Sequence, residues 1–316
     1  MKKTALLFPG QGSQYVGMGR EFVESDPEAA HLMEMASMYL GISVRRLCLE
    51  GTMEELTQVR NLHVAVTSVN LICIKQLEQR VGYRKFAYTA GHSLGEFSAL
   101  RAAGVLNTEE TVNIVNMRGK LMAREGEKHP GGMEAVLGLN LETVERILAE
   151  GKPAGTVVIA NHNTETQIVL SGDAQGLEAA GELCRDAGAK VIPLKVSVAN
   201  HSPLMAGAVD SFFGHLAGFD FCDTSVPMYF NVTGKQEHDR FIIRNELMPQ
   251  QLVSRVRWYE IIQALLADGV ELFVELGPGT VLTGLMKKIL PKGSPVQCMQ
   301  ADTPAGLDAV AEAMLK

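Results

Sequence analysis

Phe86-Ala87-Tyr88-Thr89-Ala90-Gly91-His92-Ser93-Leu94-Gly95, continuing into Glu96-Phe97-Ser98-Ala99-Leu100, is the stretch that decides the fold. Residues 86–90 read as a short buried strand that ends at Gly91. Residues 93–103 read as a helix, closed by Gly104 at a C-terminal cap position. Strand, sharp Gly-flanked turn and helix together are α/β architecture. The middle five residues fit G-x-S-x-G, the nucleophile elbow. A strained strand-to-helix turn needs glycines where side chains would clash, and it lifts the Ser93 hydroxyl clear of the backbone. The helix start behind it offers N–H groups and a positive dipole end to a developing oxyanion. A plainer reading is a helix start capped by the Ser93 hydroxyl. The strand before Ser93 and the helix running on from it favour the nucleophile.

Outward from the elbow, residues 4–8 read as a buried strand entering the turn Pro9-Gly10-Gln11-Gly12, and residues 66–79 as a helix. From about Gly131 the texture changes. Residues 133–139 are strand-like, 141–150 helical, 156–160 and 167–170 strand-like, 174–187 helical and 190–196 strand-like. That order, β-α-β-β-α-β, is that of a ferredoxin-like unit, and α/β material flanks it on both sides. The expected fold is therefore a hydrolase-like α/β core (residues 1–128 and 198–316) with an inserted ferredoxin-like subdomain (129–197). Residues 271–276, Gly277-Pro278-Gly279 and residues 281–290 give a last strand, turn and helix.

The chain has 316 residues, 46% of them hydrophobic, which is ample material for a core. No stretch approaches the roughly 18 uninterrupted apolar residues of a membrane span. The apolar run after Met1-Lys2-Lys3 is broken early by Pro9-Gly10, too soon for a signal peptide, so a cytoplasmic location is expected. A net charge of −7 disfavours nucleic acid as a partner. Five scattered cysteines without a C-x-x-C pair suit neither a disulfide framework nor a zinc site, and no metal is expected.

Phe8-Pro9-Gly10-Gln11-Gly12-Ser13-Gln14 and Gly91 to Leu100 together resemble the malonyl-CoA:acyl carrier protein transacylases. The resemblance continues through Met117-Arg118-Gly119-Lys120, His201-Ser202-Pro203-Leu204-Met205, Asn231-Val232-Thr233 and Gly277-Pro278-Gly279, in order over nearly the whole chain. It implies a transferase; no bound cofactor and a monomer are expected. Malonyl-CoA would be its substrate, coenzyme A its first product and acyl carrier protein its partner, in fatty-acid or polyketide synthesis. An acyl hydrolase, or an acyltransferase of different acyl specificity, would use the same residues; a non-catalytic carrier-docking module would not need them.

A serine hydroxyl needs a base to take its proton. Of eight histidines, His201 stands out because it opens His-Ser-Pro-Leu-Met after a strand-like run and matches the family's catalytic histidine. The resemblance assigns the orienting role to the backbone carbonyl of a glutamine seven residues before a tryptophan, and the spacing to Trp258 selects Gln251 over Gln250. On that assignment, loss of the Gln251 side chain should matter little. Elbow geometry puts the Leu94 N–H in the oxyanion hole, and the resemblance adds that of Gln11.

Residues 108–124 read as a helix whose apolar stripe includes Ile114, Val115, Leu121 and Met122, with Arg118 in its middle. A guanidinium is costly to bury without a counter-ion. The family places a malonate-binding arginine here. A planar fork can take a free carboxylate through two parallel hydrogen bonds, whereas an acetyl group would leave the charge unpaired.

Three positions depart from the family pattern: His63-Val64 where a Gln-Pro pair is usual, Asn200 before His201, and Arg255 in place of a common proline. His63 and Asn200 bear on the acyl pocket. Arg255 and Arg257, with Lys287 and Lys288, are the positive charges expected to meet an acidic carrier protein.

Overall fold

The computed structural model describes residues 2–196 and 198–316, and its two sheets correspond to the α/β core and the ferredoxin-like unit. The expected boundary at residue 197 falls outside the described residues. The strands are β1 (Thr4–Phe8), β2 (Tyr88–Gly91), β3 (Gly132–Leu137), β4 (Val157–Thr164), β5 (Gln167–Gly172), β6 (Lys190–Pro193), β7 (Met228–Tyr229), β8 (Leu272–Leu276) and β9 (Gln297–Ala301).

The larger sheet runs β7-β2-β1-β8-β9, with every pair parallel. Both its faces are covered, as a parallel sheet requires. Leu6 and Phe8 of β1 join the core built on helix Val59–Val81, while Ala5 and Leu7 pack with Trp258 and Ile261 on the opposite face. Parallel strands share one carboxyl edge. The loops that leave β1, β2, β7 and β8 therefore gather there, the usual place for a site in such a sheet.

The smaller sheet runs β4-β5-β3-β6 and is antiparallel throughout. Val136, Ile168 and Leu170 on one face pack with Val144 of helix Leu141–Gly151 and Leu177 of helix Ala174–Asp186. Met133 and Val169, on the other face, look toward the larger sheet's carboxyl edge.

Several elements differ from their sequence reading. The second strand starts at Tyr88, and its helix at Gly95, because residues 92–94 form the turn itself. The Arg118 helix runs further, Thr108–Lys128, and opens on a capping box in which Asn107 and Glu110 satisfy each other's backbone N–H groups. The last small-sheet strand stops at Pro193, so His201 follows an irregular segment rather than a strand. Among the described residues, no helix is long and apolar enough to cross a membrane.

Candidate active site

Ser93 sits in the left-handed region, at φ 51°, an uncommon conformation for a residue with a side chain. Its neighbours make the turn possible. A Cβ on Gly91 would overlap the Gly95 backbone, and one on Gly95 would overlap the Phe8 carbonyl. Helix Gly95–Ala103 has no side-chain cap, so the Ser93 hydroxyl is not spent as one. Instead Ser93 Oγ lies 2.7 Å from His201 Nε2. On the other side of the ring, His201 Nδ1–H donates to the Gln251 carbonyl at 2.8 Å. A carbonyl can only accept, so Nδ1 carries the hydrogen and the Nε2 lone pair faces the serine. Burial first, then the Arg118 charge, push the His201 imidazolium down to about 3. The ring is therefore neutral, the form a base must have.

Asn231, in the loop after β7, holds the elbow from both ends. Its Oδ1 accepts from the Ser93 N–H at 2.7 Å, and its Nδ2 donates to the Gly91 carbonyl at 2.7 Å. The Leu94 and Gln11 N–H groups donate to no acceptor among the described residues. Gly10, just before Gln11, is packed so closely that a Cβ there would lie 3.3 Å from the Leu94 nitrogen. The two free N–H groups thus come from adjoining loops.

Arg118 is fully buried behind the nucleophile. Its Nε donates to Gln251 Oε1 (3.1 Å), its Nη1 to His63 Nε2 (3.1 Å) and its Nη2 toward Ser93 Oγ (3.4 Å). Three of five N–H groups are engaged and two remain. Because Nη1 can only donate, His63 must accept through Nε2 and carry its hydrogen on Nδ1. The Phe97 ring lies under the guanidinium, 5.6 Å from its carbon.

The Gln251 side chain is also occupied, contrary to the reading that only its main chain matters. Its Nε2 donates to Glu96 Oε2 at 2.7 Å and to the Ser93 carbonyl at 2.9 Å. Sequence reasoning missed Glu96 as well. The available signal was an acid in the otherwise apolar start of helix Gly95–Ala103.

A cavity of about 150 Å³ opens in front of Ser93 and His201, between the two sheets. Met133, Val169, Asn163, Asn200 and Leu285 are among its walls. Asn200 donates to Gln11 Oε1 (3.1 Å), while His92 is tied to Asn163 (2.8 Å) and so fastens the elbow to the smaller sheet. Of the four expected docking cations, Arg255 is paired with Glu145 (2.7 Å) and Arg257 is spread over the Val232 carbonyl and Glu260. Lys287 and Lys288 lie on helix Val281–Ile289, whose Val281, Leu282 and Leu285 line the cavity, and Lys288 reaches Gln167 at its rim.

Residues 5–305 match the acyl transferase domain family. The malonyl CoA-acyl carrier protein transacylase of Bacillus subtilis (strain 168) is 40% identical over 291 residues that span 92% of this chain and 91% of that protein. Among solved structures, the malonyl CoA-acyl carrier protein transacylase of Coxiella burnetii superposes with a TM-score of 0.93 at 32% identity, covering 100% of this chain and 98% of that one. A malonyl-transacylase solved in complex with its type II polyketide acyl-carrier protein gives 0.92 at 34% identity, with 98% and 99% covered.

Proposed function

The chain belongs to the acyl transferase domain family and, within it, to the malonyl-CoA:acyl carrier protein transacylases, and from that premise we propose how its residues carry the transfer. Malonyl passes from malonyl-CoA to the phosphopantetheine thiol of acyl carrier protein, by way of an ester on Ser93. The observation that carries this reading is the line Ser93 Oγ, His201 Nε2, His201 Nδ1, Gln251 carbonyl.

Ser93 Oγ gives its proton to His201 Nε2 and attacks the thioester carbon. The oxyanion that forms is met by the Leu94 and Gln11 N–H groups, which hold no other partner among the described residues. The carbon–sulfur bond breaks, and the coenzyme A sulfur takes the proton back from His201. In the second half the carrier thiol gives its proton to His201 and attacks the ester, and Ser93 leaves as the alcohol. Every proton moved is held by His201 in between. A backbone carbonyl orients the imidazole but carries only a partial charge, so it stabilises imidazolium less than a carboxylate would. A thiol, which ionises far more readily than water, needs less help from the base.

Arg118 selects the substrate. Its two spare N–H groups suit a carboxylate on the acyl chain, and acetyl would leave a buried cation unpaired. That requirement argues against a general acyl hydrolase. The test is to malonylate the enzyme, remove free malonyl-CoA, and add holo acyl carrier protein. The ester should discharge to malonyl-carrier far faster than to free malonate; release of malonate at the same rate with and without carrier would make it a hydrolase.

A further inference from the structure

Glu96 is a carboxylate in an unusual place: 1% exposed, two residues past the elbow, with no cation within ion-pair distance among the described residues. Arg118, equally buried, has no direct anion either. One amide joins them. Arg118 Nε–H donates to Gln251 Oε1, and Gln251 Nε2–H donates to Glu96 Oε2, so every donor points from the guanidinium toward the carboxylate. The other Glu96 oxygen accepts from the Asn231 N–H at 2.6 Å. Neither charge could be buried so deeply alone, since each would cost several kcal/mol without a counter-charge.

We propose that Glu96 is a positioning residue for malonyl selection: its carboxylate fixes the Gln251 amide, which in turn holds Arg118 Nε and leaves the terminal nitrogens aimed at the substrate carboxylate. This rests on Arg118 being the carboxylate-binding residue. The direction of the relay gives the proposal its chemical content. A protonated Glu96 carries its hydrogen on one oxygen; the Asn231 N–H is fixed backbone and keeps the other, so the O–H faces the Gln251 NH2, donor against donor. The Gln251 amide can then turn over to accept that proton, but only by setting its NH2 against Arg118 Nε–H. Protonation therefore unlocks the fork.

Burial pushes the Glu96 carboxyl up to about 7, against the Asn231 N–H, the Gln251 amide and the Arg118 charge, which lower it. Arg118 on its own helix is the charged group acting on Glu96; His63 and His201, which flank Arg118, are both buried and held neutral by burial and by that same guanidinium. Burial brings Arg118 down only to about 10, so it stays a cation across this range. Ionised Glu96 is the working form. Malonyl selectivity is thus present above about pH 7 and is lost as pH falls through it.

The experiment measures kcat/KM for malonyl-CoA and acetyl-CoA between pH 5 and 9 in wild type, Glu96→Gln, Glu96→Asp and Arg118→Ala. In wild type the malonyl-to-acetyl ratio should fall about tenfold per unit as pH drops below 7. Glu96→Gln should have a low ratio that does not change with pH, because with its one oxygen on the Asn231 N–H an amide at 96 sets its NH2 against that of Gln251. Glu96→Asp, charged but one methylene shorter, should lose activity while keeping an acid limb in the ratio. Equal loss on both substrates in Glu96→Gln, or a wild-type pH profile in that variant, would overturn the proposal and leave Glu96 as a support of the elbow. An Arg118→Ala enzyme with an unchanged ratio would instead sink the reading of Arg118 itself.

Discussion

Gln251 Oε1 lies 3.1 Å from Arg118 Nε, so the residue whose main chain accepts from His201 also holds the Arg118 guanidinium with its side chain. Gln251→Ala should therefore separate the two duties. The His201 tautomer survives, because the carbonyl remains. Arg118, Glu96 and the Ser93 carbonyl each lose a hydrogen-bond partner. Hydrogen bonds to charged groups contribute about 1.5–3 kcal/mol, so kcat/KM for malonyl-CoA should drop by roughly 10- to 100-fold, with a smaller loss on acetyl-CoA. Steady-state kinetics on both substrates checks this, and a near-normal malonyl rate would restore the simpler reading of Gln251.

Arg118→Ala should abolish most malonyl transfer and raise the relative rate on acetyl-CoA. Arg118→Lys should recover only part. An ammonium cannot satisfy Gln251, His63 and a bidentate carboxylate at once. The ratio of rates on the two thioesters is the measurement.

How much of this was legible in the sequence follows the range of the contacts. The elbow was readable because Gly91, Ser93 and Gly95 impose their geometry within five residues. Arg118's place in an apolar stripe was readable from helical periodicity, while its expected role came from the resemblance. His201 and Gln251 were picked by resemblance, with the His-Ser-Pro-Leu-Met segment and the spacing to Trp258 as the local cues. The Gln251–Glu96 and Asn231–Ser93 bonds join residues 155 and 138 positions apart, and no local pattern encodes such pairings. β7 has two residues, too few to show a period, and β9 is a largely half-exposed edge strand of mixed polarity.

The structure distinguishes among the four cations expected to meet the carrier protein. Arg255 is committed to Glu145, and reversing it to Glu sets two carboxylates together, which should destabilise by at least the ~1 kcal/mol of a lost exposed pair. Lys287 and Lys288 lie on the helix whose Val281, Leu282 and Leu285 line the cavity, and Lys288 reaches Gln167 at its rim. Changing both to Glu should raise the KM for carrier protein several-fold at low salt, with the difference fading as salt screens it. Malonylation of Ser93 at saturating malonyl-CoA should change less. A carrier KM that does not respond in the Lys variant would place docking elsewhere.

His63 supplies a pH test of stability. Burial and the neighbouring Arg118 charge hold its imidazole neutral, well below the ordinary 6.5. The unfolded chain takes up that proton below 6.5 and the folded chain does not, so folding weakens as pH falls. His63→Gln removes this linkage while keeping an acceptor for Arg118. Between pH 7 and 5.5 the wild type should lose about 1 kcal/mol more than the variant in urea unfolding. Parallel losses would mean that His63 is protonated in the fold.

The central claim is the ester on Ser93, and intact-protein mass after incubation with malonyl-CoA tests it most directly. Wild type should gain the mass of one malonyl group, Ser93→Ala should gain none, and adding holo acyl carrier protein should return the wild type to its starting mass. An equal gain in Ser93→Ala, or a wild type that transfers malonyl without ever carrying it, would contradict the account.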